Sequence, residues 1–159
     1  MACRLGYGPT VQTLGIVIDP GAGKPKLHGV ILGGEAEDPL LIQDFELRAG
    51  GDDPGEQAVD LARRLQGKLS GLDFQAAAIR VAGARPVASR RKVQFSRAHA
   101  EGAALFVLRE HLKKPIGTGD PKTFASALGE NKEELIQRAT SISNGKADAA
   151  VAAIAAFVL

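Results

Sequence analysis

Hydrophobic and polar positions alternate in blocks along the chain. "VQTLGIVID" (11–19) is β-branched and apolar at nearly every position, which predicts a strand covered on both faces and stopped by Pro20-Gly21. "LHGVILGG" (27–34) predicts a second strand, and its short Gly/Pro/Lys connection to the first predicts an antiparallel hairpin. "LLIQDFELRA" (40–49) alternates in part, so a third strand with one wetter face is expected. The period then changes. Over 52–69, Ala58, Leu61, Leu65 and Leu69 recur at helical spacing, Asp52 or Asp53 can cap, and Pro54 suits the first turn.

After Gly71, "FQAAAIRVAG" (74–83) predicts a short strand with one charge, Arg80. "SRAHAEGAALFVLREHL" (96–112) predicts a helix, with Ala100, Ala104, Val107, Leu108 and His111 on or near one stripe. "KKPIGTG" (113–119) fits a short edge strand or an extended loop, and 113–130 reads as the loosest region. A short polar helix over 131–140 precedes a final one over 145–159, so rich in Ala and Val that it must be packed on most sides. The order β-β-β-α-β-α-(β)-α-α predicts an α/β fold with a mixed sheet flanked by helices. With no internal repeat and no linker, one domain over 1–159 is expected.

Composition changes this picture little. Aromatics make up 4% and Trp is absent, so the core must come from Ala, Val, Ile and Leu. The sequence "MACRLGYGPT" lacks the apolar stretch of a signal peptide, and "AAVAAIAAFVL" is too short to span a bilayer. One cysteine, Cys3, allows neither an internal disulfide nor a zinc cage. A cytoplasmic protein is expected.

Charge is more telling in its distribution than in its sum of +2. Residues 80–97 hold six of the 20 Lys and Arg and no acidic residue, which leaves 14 basic against 18 acidic elsewhere. Such a segment reads either as a phosphate-binding footprint or as a solvated loop. Two carboxylates stand where elements meet. Asp19 ends the first strand, and Asp148 falls in the first turn of the last helix. Each also has a local explanation, as a turn residue before Pro-Gly and as a complement to the helix dipole. "GAGKP" (21–25) lacks the frame of a phosphate loop, and His28, His99 and His111 form no H-E-x-x-H pattern.

"GIVIDPG", "SRAHAEGAAL", "GENKEELIQ" and "KADAAVAAIAA", in this order, resemble the RuvC-type Holliday junction resolvases of the ribonuclease H-like superfamily. The resemblance implies a mixed five-stranded sheet, a homodimer and two magnesium ions held by four carboxylates, cutting branched DNA by attack of water. Two such ions stabilise the attacking and leaving oxygens of phosphodiester hydrolysis. Carried over by position, Asp19 and Asp148 are the expected catalytic residues and metal ligands. The other two acidic positions fall on Arg80 and Val151.

A guanidinium beside a divalent cation is strongly disfavoured, so Arg80 is expected to pair with Asp19 or Asp148 or to bind phosphate. Asp44, Glu46 and Glu101 are the nearest substitute carboxylates in the element order. Arg80, Arg85, Arg90, Arg91, Lys92 and Arg97 are the expected contacts to nucleic acid, DNA in first place, with Phe95 available for stacking. Two functions follow from the resemblance: a magnesium-dependent endonuclease, or a non-catalytic nucleic-acid-binding or assembly module on the same fold.

Overall fold

The structure, a computed structural model, describes residues 10–21, 23–81 and 91–159, with side chains in the last stretch from Phe95 onward. Its elements are β1 (Gln12–Asp19), β2 (Lys26–Gly34), β3 (Pro39–Arg48), α1 (Pro54–Leu69), β4 (Ala76–Arg80), α2 (Arg91–Leu112), β5 (Gly117–Gly119), α3 (Pro121–Leu128), α4 (Lys132–Ile142) and α5 (Ala147–Ala156). The strands form one mixed sheet in the order β3-β2-β1-β4-β5. β1 is antiparallel to β2 and parallel to β4, and β4 is parallel to β5.

β1 is the middle strand, which explains its unbroken apolar run. Its odd and even positions feed two different cores. Leu14, Ile16 and Ile18 pack under α1 and α2, with Leu61, Leu65 and Leu69 of α1 and Ala104 and Leu108 of α2. Val17 faces the opposite layer, where α3, α4 and α5 cover Val30, Leu32 and Ala78. Every residue of α5 from Ala149 to Ala156 is buried.

That burial depends on Gly15. A Cβ there would overlap the Ala149 carbonyl, the Ala153 amide and the Ala153 methyl. Glycine in β1 and alanine in α5 therefore let helix and strand touch along their backbones, and the Thr13 hydroxyl pins the contact by donating to the Ala153 carbonyl at 2.7 Å. The close approach sets the first turn of α5 beside the end of β1.

Two sequence expectations need correction. Within 113–130, β5 is the short edge strand that the sequence offered, but the rest is not loose: α3 forms because Asp120 caps the Thr123 amide at 2.8 Å, Pro121 takes the first turn and Gly129 closes the helix at φ +69°. The second long helix begins at Arg91, not at residue 96, so Arg91, Lys92 and Arg97 all belong to α2 rather than to a loop or a helix start.

Candidate functional site

Side chains alternate across a sheet, so Asp19 shares with Val17 the face that α5 covers. Arg80, the last residue of β4, stands opposite Val17 in the parallel register, and His28 of β2 stands opposite it on the other side. Glu46 of β3 pairs with His28 in turn. One row across the sheet thus reads Glu46, His28, Val17, Arg80, with Asp19 two residues beyond Val17. The first turn of α5 closes over this row. Asp19, His28, Arg80, Arg97, Lys146 and Asp148 line a single open cleft of ≈ 420 Å³.

Charges in and around the cleft are mostly paired. Arg80 Nε lies 3.3 Å from Asp148 Oδ1. Lys146 Nζ reaches Asp44 Oδ1 at 3.2 Å, and Arg97 Nε reaches Glu101 Oε1 at 3.0 Å. Glu46 accepts from Arg48 at 3.0 Å and has His28 Nδ1 at 3.7 Å. The Arg48 hydrogen bond, helped by the charges of His28 and Lys26, holds the Glu46 carboxyl below its ordinary range. The three substitute carboxylates therefore each face a cation. Asp19 has no ion pair among the described residues. It accepts the Gly21 amide at 3.0 Å, the bond that shapes the turn after β1.

Two buried side-chain nitrogens on the cleft wall, Arg80 Nε and His28 Nδ1, make no hydrogen bond among the described residues. The Arg80–Asp148 contact is thus an ionic approach without hydrogen-bond geometry. Lys146, at the N-cap of α5, turns its side chain to Asp44, and no side chain caps the helix. Asp148 sits in that first turn, where the helix end favours a negative charge.

Of the residues expected from sequence, the structure brings Asp19, Asp148, Arg80 and Arg97 together in the cleft. Val151 is buried in the helix core. Arg91 and Lys92 stand in the first turn of α2, where their side chains lie outside the described residues, as do Arg85 and Arg90 altogether. Sequence reasoning missed His28 and Lys146. Strand alternation from Val30 to His28 and the step from Lys146 to Asp148 at a helix start were the signals for both.

These residues do not fit a pair of magnesium ions. Only Asp19 and Asp148 offer carboxylates to the cleft, and Asp148 is already beside a guanidinium. No group of three or more His, Cys, Asp or Glu among the described residues is placed to share a metal ion. Residues 1–9, 22 and 82–94 contain no Asp, Glu or His, so the sequence holds no further carboxylate in reserve. Magnesium demands hard oxygen donors, and a fixed cation in their midst works against it.

Comparison with known proteins agrees on the architecture. RuvC of Thermus thermophilus superposes with a TM-score of 0.66 at 18% identity, covering 91% of this chain and 92% of that one. The fold is RuvC-like, within the ribonuclease H-like class. The same T. thermophilus RuvC in complex with a Holliday junction substrate gives a TM-score of 0.67 at 16% identity, covering 91% of both chains. The yeast mitochondrial Holliday junction resolvase Ydc2 gives 0.56 at 15% identity, covering 94% of this chain and 78% of its own. No family model matches the sequence, and no curated protein does. On this RuvC-like frame the cleft lies at the ends of β1 and β4, under the start of α5.

Proposed function

We propose that this chain is a nucleic-acid-binding protein, with DNA as its ligand, that uses the cleft face of a RuvC-like fold without metal-dependent strand cleavage. The observation that carries the reading is Arg80, which enters the cleft beside Asp148 instead of supplying a carboxylate. A cation fixed at that point suits a phosphate backbone and opposes a divalent ion. Arg97 of α2 adds a second guanidinium to the cleft wall, and the sequence places Arg91 and Lys92 at the start of the same helix. Structural similarity to a RuvC solved with a Holliday junction supports a branched duplex as the first ligand to try.

The magnesium ions implied by the sequence resemblance have no part in this reading. A homodimer does belong to it. Phe95 and Phe106 of α2 are both 62% exposed, an apolar surface on the helix side turned away from the core. No helix among the described residues is long and apolar enough to cross a membrane.

A labelled four-way DNA junction, titrated by fluorescence anisotropy with EDTA present, tests the function. Affinity is expected to fall at least about tenfold between roughly 50 and 200 mM salt, because each phosphate contact releases counterions. Absence of binding at the lower salt contradicts it.

A further inference from the structure

We propose that the cleft is a metal-independent phosphate site in which Arg80 is the principal donor and Asp148 its displaceable counter-ion. The proposal rests on the nucleic-acid reading above and adds the residue that meets the phosphate and the carboxylate that competes with it.

The charges around the cleft are not equivalent. Lys146 and Arg97 hold their carboxylates by hydrogen bonds, in pairs whose side chains are 15–28% exposed. Those pairs are partly shielded and shaped to persist. Arg80 is as shielded as these cations, at 24% exposed, but its pairing differs. Its partner Asp148 is 56% exposed, and their 3.3 Å contact lacks hydrogen-bond geometry. A pair with one solvent-exposed member and no hydrogen bond holds together weakly. Asp148 also keeps the favourable field of the α5 N-terminus when Arg80 turns away.

The guanidinium itself is ready for a new partner. It carries five N–H donors in a planar fork that matches two phosphate oxygens. Nε is buried without a hydrogen bond among the described residues, and so is His28 Nδ1 across Val17 in the same strand row. Arg80 Nε has a carboxylate nearby, Asp148 at 3.3 Å, but no hydrogen bond among the described residues, so an acceptor entering the cleft offers it a bond that the free protein lacks. A phosphate supplies acceptor oxygens to Arg80. Chain alternation aims both residues at the face under the first turn of α5.

Asp148 then sets the affinity by competing with the ligand. Removing the cation and removing the competitor are therefore expected to act in opposite directions, and a metal-ligand role for Asp148 is distinguished by making the effect depend on magnesium.

The test uses the labelled junction in EDTA, with inorganic phosphate in a parallel thermal-shift titration. Arg80→Gln is expected to weaken junction binding about tenfold and to lower the salt slope by about one unit. Arg80→Lys, which keeps the charge but not the fork, should fall between. Asp148→Asn is expected to tighten binding about twofold to fivefold, the fold-change that corresponds to freeing an exposed pair. Adding magnesium should change none of these rankings.

Normal junction binding by Arg80→Gln with an unchanged melting temperature overturns the proposal and leaves the nucleic-acid reading standing. Weaker binding by Asp148→Asn overturns it as well. A phosphate-dependent stabilisation that Arg80→Gln abolishes, in a protein that does not bind the junction, keeps the phosphate site and removes the nucleic-acid reading. Failure to bind either probe overturns both.

Discussion

Asp19 and Asp120 occupy similar sequence contexts, each an aspartate followed directly by proline, yet they play different parts. Asp19 shapes the turn after β1 through the Gly21 amide and also opens on the cleft. Asp120 caps α3, and the Thr123 backbone amide, with the Thr123 hydroxyl second, holds its carboxyl below its ordinary value. A carboxyl depressed in the folded state stabilises the protein above the unfolded pKa, near 3.9 for Asp, and loses that contribution as pH falls through the folded value. Asp120→Ala is therefore expected to lower the melting temperature by a few degrees at neutral pH. The difference from wild type should shrink below about pH 4, and calorimetric melts across that range check it. A constant difference at all pH values contradicts the capping account.

At residue scale, much of this was legible and some was passed over. Asp-Pro followed eight residues later by Gly129 is the signature of a capped helix, but an interval of only eight residues offers little periodicity to count. His28 was hidden for another reason. A lone histidine in an apolar strand carries no signal until the register shows that it shares a row with Arg80.

At the scale of elements, the strand–helix contact between β1 and α5 places the site. The apolar block of β1 and the Ala-rich final segment were plain in the sequence, because central strands and fully covered helices leave long hydrophobic runs. Their mutual approach was not, since it depends on Gly15 facing Ala149 and Ala153 across 134 and 138 residues of chain. Gly15→Ala is expected to cost at least the upper end of the ~1–3 kcal/mol overpacking range, because the obstacle is backbone that cannot rotate away. Urea unfolding measures it. An unchanged midpoint means that α5 does not rest on β1 as described. The start of α2 was placed five residues late from sequence because "RKVQF" is polar and lacks a cap signal, and the correction moves Arg91 and Lys92 onto a helix.

For the whole molecule, the α/β architecture followed from the order of elements, and the superposition on RuvC agrees with it over most of both chains. Fold similarity at 15–18% identity does not carry chemistry with it. Around one cleft this chain sets Arg80 against Asp148, Lys146 against Asp44 and Arg97 against Glu101. Pairing of this kind was partly readable, since Arg80 and Val151 fell where the resemblance implied carboxylates. Which cation met which carboxylate required the packing of α5 and α2 against the strand ends.

Whether this cleft works without a divalent ion is decided by isothermal calorimetry of magnesium and manganese on the wild-type protein, with Asp19→Asn as control. No saturable heat for either metal and identical traces for the two proteins are expected. Saturable binding in the wild type that disappears in Asp19→Asn would contradict a metal-independent cleft.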